Sequence, residues 1–159
     1  MVLIMSQKLT RKQFWIRLGE ELCDKIRTRT KKGQDVDDSN FKKLSKGYEK
    51  YKKAGGGPRQ SSSKVKPTDL QYTGDMLRDL QVRGSSDEHV TIGWTGAMAE
   101  RVRENEERGR FISKENKPIS RSEQKYIQDE LDEETPKGVN KSLDEIWRGR
   151  KTKVLHMKL

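Results

Sequence analysis

Side chains that could carry catalysis are few in this 159-residue chain, and none stands in a catalytic arrangement. His89 and His156 are the only histidines and lie far apart in sequence. Cys23 is the single cysteine, which excludes an internal disulfide and a thiolate metal site; inside a helical stretch it reads as a small packed residue. There is no His-x-x-x-His pair, no Cys/His cluster, no nucleophile elbow and no glycine-rich dinucleotide fingerprint. Asp35, Asp37 and Ser39 have the spacing that opens a calcium loop. Such a loop needs glycine at its sixth position and glutamate at its twelfth, where Asn40 and Lys46 stand, so the likeness fails. Gly55-Gly56-Gly57-Pro58-Arg59 has no preceding strand and no Gly-Lys-Ser/Thr ending, and is not a phosphate loop. Asp129, Glu130, Asp132, Glu133 and Glu134 could hide two metal-binding carboxylates, but they are more cheaply read as a solvated helix face. No catalytic, metal-binding or cofactor-binding residue is assigned, and neither enzymatic activity nor a cofactor is expected.

The chemistry left is electrostatic. Residues 1–66 carry 18 Lys/Arg against 7 Asp/Glu, residues 67–136 carry 10 against 16, and residues 137–159 carry 7 against 2. This basic–acidic–basic order lets copies pair head to tail, or lets the basic ends line a polyanion. The bland alternative is that each run simply keeps the chain soluble. Phe41, Leu44, Tyr48 and Tyr51 are interleaved with Lys42, Lys43, Lys46, Lys50, Lys52 and Lys53, a mixture suited to a nucleic-acid backbone. Its plainer form is an extension whose aromatics dock on the domain while its lysines face water. Arg59, Lys64 and Lys66 continue the basic run through the low-complexity segment 54–66, a flexible loop or linker. These nine cations are the candidate contacts to DNA or to a neighbouring subunit.

The elements that must position them follow from periodicity. Phe14, Leu18, Leu22 and Ile26 predict an amphipathic helix from about Thr10, its N-cap, to Thr30, roughly 30 Å long. Arg27, Arg29, Lys31 and Lys32 complement the dipole at its end. A short apolar helix at Met76 and Leu77 leads to a strand at Leu80–Val82. Gly84–Asp87 reads as a turn and Val90–Trp94 as the returning strand. Further helices are predicted over 96–108, with Met98, Ala99 and Val102 inward, and from the capping box Ser120–Glu123 to about Glu133, with Tyr126, Ile127 and Leu131 inward. With 30% hydrophobic residues the core is small. The expected architecture is one α+β domain over 1–136, containing a flexible basic loop at 34–68, followed by a basic and apolar arm at 137–159. In that arm Trp147, Arg148, Arg150, Lys151, Leu155 and Leu159 are candidate partner-docking residues, since an apolar tail on so polar a chain needs cover. The opening apolar run of five residues is too short to span a bilayer, which takes about 20, and lacks the parts of a signal peptide. A reducing, soluble compartment and no membrane partner are expected.

Several short patterns stand together in order. They are Arg29-Thr30-Lys31-Lys32-Gly33-Gln34-Asp35, then Phe41 with Leu44-Ser45 and Tyr48, then Thr73-Gly74-Asp75-Met76, and finally Gly109-Arg110-Phe111-Ile112. Across roughly residues 8–133 the chain resembles the neck and tail-completion proteins of tailed bacteriophages, also called minor tail or virion-morphogenesis proteins. It departs from them in having Leu44 where a tyrosine is usual and no arginine–proline pair before Phe111, and the arm lies beyond the likeness. The resemblance implies an α+β subunit with a long helix on a small antiparallel sheet. It further implies a homo-oligomeric ring, contacting portal, connector or tail-tube proteins, in a virion and with double-stranded DNA passing through without sequence preference. The competing expectation is a small basic ribosome- or nucleoid-associated protein, against which the acidic middle third argues.

Overall fold

A computed structural model describes residues 10–134 except 57–64, 66–67, 69, 71–73 and 115. Its elements are α1 (Arg11–Lys31), α2 (Lys46–Lys53), α3 (Asp75–Asp79), β1 (Gln81–Ser85), β2 (Val90–Gly93), α4 (Gly96–Glu107) and α5 (Arg121–Glu134). The fold is α+β, with the long helix laid on an antiparallel hairpin, as the sequence predicts. The arm at 137–159 lies outside the described residues.

Thr10 caps α1 through a reciprocal box with Gln13: each residue's side chain accepts the other's backbone N–H. Gly33 ends it at φ 85°, where Gly33 N–H reaches Thr30 O and Gln34 N–H reaches Arg29 O. That paired pattern satisfies the last carbonyls of the helix and requires a left-handed residue, hence glycine. Phe14, Leu18, Leu22 and Ile26 are all buried and join Leu80, Val90, Ile92 and Trp94 in one core.

The hairpin is longer and less regular than its alternation predicts. Gln81 pairs with Gly93 and Val82 with Ile92, then the register slips so that Gly84 pairs with Thr91 and Ser85 with Val90. The slip is a β-bulge at Arg83, and Gly84, expected in the turn, belongs to the strand beside it. The turn itself is Ser86–His89, closed by Ser86 N–H to His89 O and by the Ser86 hydroxyl, which accepts from the N–H groups of Glu88 and His89.

A two-stranded hairpin is not stable alone in water, and α1 covers it at close range. The approach is set by Gly19, a position the helical stripe did not single out. A Cβ there would lie 2.6 Å from Val90 Cγ2 and 2.9 Å from Val82 Cγ2. Glycine weakens a helix by about 1 kcal/mol, and here it permits backbone-to-sheet contact.

The segment expected to be a flexible loop at 34–68 is structured over its first half. Asp35 Oδ1 accepts the N–H groups of Asp37 and Ser39, and Val36 and Phe41 are buried. Ser45 then caps α2.

Two substitutions test the packing. Leu18→Ala should lower stability by about 2 to 5 kcal/mol, as for a fully buried leucine. Gly19→Ala should also destabilise, by about 1 to 3 kcal/mol, although alanine favours helix, because the stiff Val90 side chain must move. Urea unfolding measures both, and a stabilised Gly19→Ala would show that α1 does not press on the hairpin.

Candidate functional site

The site is built around the end of α1. Arg29 and Glu123 are both buried, and Arg29 Nε donates to Glu123 Oε1 at 2.8 Å. The same guanidinium reaches Ile112 O at 2.9 Å and Gln34 O at 3.3 Å. Glu123 Oε2 accepts Ser120 N–H at 2.8 Å, the predicted capping box at the start of α5. Arg29 is therefore a core residue as well as a cation in the last turn of α1, where it complements the dipole. Beside this joint Val36 N–H bonds Phe111 O and Phe41 N–H bonds Gly33 O.

The end of α4 repeats the construction. Gly109 sits at φ 73°, with Gly109 N–H on Glu106 O and Arg110 N–H on Asn105 O. Arg110 then turns back, donating to the carbonyls of Lys42 at 3.1 Å and Lys43 at 3.2 Å. Burial lowers its pKa, with the charge of Arg108 adding to the effect, but an arginine stays protonated at neutral pH. Nearby, burial raises the Glu106 carboxyl above its ordinary value while the Ser113 hydroxyl opposes the shift.

Between the 42–45 segment, α2 and α4 lies a groove of about 790 Å³. Its lining includes Lys42, Lys43, Lys52, Arg101, Arg108 and Arg110, with Glu104 as the only carboxylate among the described residues. Arg108 pairs with that carboxylate at 3.4 Å. Lys42, Lys43 and Arg101 are exposed and form no ion pair among the described residues. Leu44, Met76 and Tyr48 give the groove an apolar component.

Of the cations predicted from sequence, the structure brings Lys42 and Lys43 into this groove and leaves Lys46 and Lys50 exposed on α2. Lys53 is tied to Glu49 at 2.8 Å. Lys52 is a correction: it is 2% exposed, a structural residue of the groove wall and not a free contact for DNA or a neighbour. The tyrosines depart from expectation in the opposite sense, Tyr48 and Tyr51 being 40% and 50% exposed. The reason is helix phase. With α2 capped at Ser45, position 52 falls on its buried side. Arg59, Lys64 and Lys66, with Trp147, Arg148, Arg150, Lys151, Leu155 and Leu159, lie outside the described residues. Arg101 and Arg108 are not among the predicted contacts, because the glutamates alternating with them read as a solvated or subunit-facing surface, and Arg110 stands out in the sequence only within the Gly109–Ile112 pattern.

The predicted acidic face also has a definite place. α5 runs antiparallel to α1: Glu123 meets Arg29, the Lys25 ammonium sits 3.9 Å from the Tyr126 ring centroid, and Glu130 pairs with Arg17 at 2.7 Å. The hydrogen bond from Arg17 to Glu130 raises the arginine's pKa. Asp129, Asp132, Glu133 and Glu134 are exposed, and the last turn of α5 holds no basic residue.

Remaining reactive groups are absorbed by the fold. Burial pushes the Cys23 thiol up to about 11, leaving it a packed neutral side chain. Ser86 Oγ lies 2.8 Å from His89 Nδ1, but that hydroxyl holds the exposed turn and lies outside the groove. Asp37 accepts from Lys114 and, at 2.8 Å, from Lys117; these hydrogen bonds lower its pKa from 3.8 to about 2. Among the described residues there is no group of His, Cys, Asp and Glu able to hold a metal, and no helix long and apolar enough to cross a membrane. No family model, curated protein or solved structure matches the chain.

Arg29→Met leaves Glu123 buried without its cation and should cost about 3 to 5 kcal/mol in urea unfolding. A loss below about 1 kcal/mol would class the contact with surface ion pairs. For Asp37 the depressed folded-state pKa fixes the sign: its stabilisation is complete above 3.8 and disappears as pH falls through about 2. The urea midpoint of the wild type should therefore fall more steeply over that range than that of Asp37→Asn. Parallel slopes would show that the lysine contacts do not form in solution.

Proposed function

We propose that this protein is a structural subunit of a bacteriophage virion, forming a ring at the head–tail junction through which double-stranded DNA passes. The observation that carries the reading is where the family-like patterns fall in the fold. Arg29, Gly33, Asp35 and Phe41 all build one joint at the end of α1, and Gly109 with Arg110 ties α4 to it. The first four are close in sequence, but the Gly109–Ile112 pattern is remote from them and meets them through Val36 N–H on Phe111 O and Arg110 on Lys42 O. A small polar domain with a basic groove and an acidic helix end is also what a ring subunit needs, since neighbouring copies must present unlike surfaces to each other.

The groove favours a second reading, a small basic nucleic-acid-binding protein, because Lys42 and Lys43, which form no ion pair among the described residues, stand with the exposed Tyr48 in a lining suited to a phosphate backbone. Mass in solution separates the two. A discrete ring that binds duplexes without sequence preference supports the neck subunit; a monomer that binds RNA tightly supports the alternative. In the conduit reading, log K against log[salt] should fall with a slope of roughly −0.9 per phosphate neutralised. Loss of the protein from virions should leave heads and tails unjoined, and normal particles without it would overturn the proposal.

A further inference from the structure

We infer that the basic groove is the docking site for the acidic C-terminal end of α5 on a second copy of this chain. The inference rests on the ring reading and supplies the contact that would build it.

Three observations carry it. The groove presents Lys42, Lys43 and Arg101 exposed and without an ion pair among the described residues, while Glu104, the one carboxylate among its described lining residues, is already held by Arg108. The end of α5 has the reverse imbalance. Asp132, Glu133 and Glu134 crowd the helix C-terminus, where the backbone dipole is already negative, with no basic residue in that turn. A cation supplied from outside relieves both.

The third observation is geometric. Because α5 runs antiparallel to α1, its start lies at Arg29 and its later turns lie at Arg17, roughly 18 Å back along α1. The groove is joined to the other end of α1, through Phe41 N–H on Gly33 O and Val36 N–H on Phe111 O. One copy therefore holds its two complementary surfaces toward opposite ends of α1, where they do not pair with each other. Copies arranged head to tail can pair them.

The competing occupants are a nucleic-acid backbone in the groove and this chain's own basic residues 137–159 on the acidic end. Sedimentation of the full chain at low and high salt, with a double charge reversal, distinguishes them. Lys42→Glu with Lys43→Glu, and separately Glu133→Lys with Glu134→Lys, should each weaken self-association by at least roughly tenfold. All four changes in one chain should restore it, since every interface regains opposite charges. Arg101→Glu, on a different element, should reproduce the first loss, and circular dichroism should show each variant folded. A fourfold variant as weak as its parents overturns the inference, leaving residues 137–159 to cover the acidic end. Intact association with loss of binding to a short DNA duplex in Lys42→Glu/Lys43→Glu overturns it in favour of nucleic acid. A wild type that is monomeric at every salt concentration removes the ring reading as well, whereas an oligomer indifferent to all the reversals removes only this contact.

Discussion

The buried pair between Arg29 and Glu123 is the contact on which the rest of the fold depends. Taking two charges out of water is costly, and an apolar pair of similar volume often matches the stability of an ion pair. An apolar pair would not, however, hold Gln34 O, Ile112 O and Ser120 N–H, which this one does. These groups belong to the exit from α1, the strand-like run after α4 and the start of α5. Hydrophobic burial is non-directional and could bring these segments together in several registers. The guanidinium's fixed fork of donors selects one.

The same device recurs through the molecule. Arg27 donates to Leu77 O and Leu80 O, Arg83 to Gly93 O and Asp79 O, and Arg110 to Lys42 O and Lys43 O. Leu77 and Asp79 lie in α3, Leu80 caps it, and Lys42 and Lys43 precede α2, so apart from Gly93 the arginines hold carbonyls at a helix end and in irregular chain rather than in the sheet. Trp94 completes the set through its indole N–H on Met76 O at 2.8 Å. Part of the chain's positive charge is thus structural. The net charge of +10 overstates what is available to a polyanion.

Much of this architecture is legible in the sequence. The four-residue spacing of Phe14, Leu18, Leu22 and Ile26, the cap at Thr10 and the box at Ser120–Glu123 are local signals, and they mark helices that form where expected. Positions set by tertiary contact are not legible. Gly19 looks like a weak point in a helix until Val90 is placed against it. Gly84 has the composition of a turn and becomes part of a bulged strand because α1 covers the hairpin and lengthens the pairing. Lys52 carries the same charge as its neighbours in sequence, and only the phase of a short capped helix sets it apart. The groove is the extreme case. Lys42 and Arg101 are remote in sequence, and nothing in either segment announces the other.

If copies dock head to tail as inferred above, the placement of charge bears on whether those contacts close or run on. Identical copies joined by unlike surfaces build a filament when each step is mainly a translation, and a ring when each step includes a rotation that divides the full turn. Had both patches lain on the axis of α1, translation would dominate. The acidic end does lie beside that helix, near Arg17. The groove does not: its 42–45 wall follows Phe41, which is tied to Gly33 beyond the end of α1, and its α4 wall packs chiefly on α3. A contact between an on-axis patch and an off-axis one tilts each copy against the last. The joint at Arg29 and Glu123 fixes that offset, so a pair buried within one subunit would also set the curvature of the assembly.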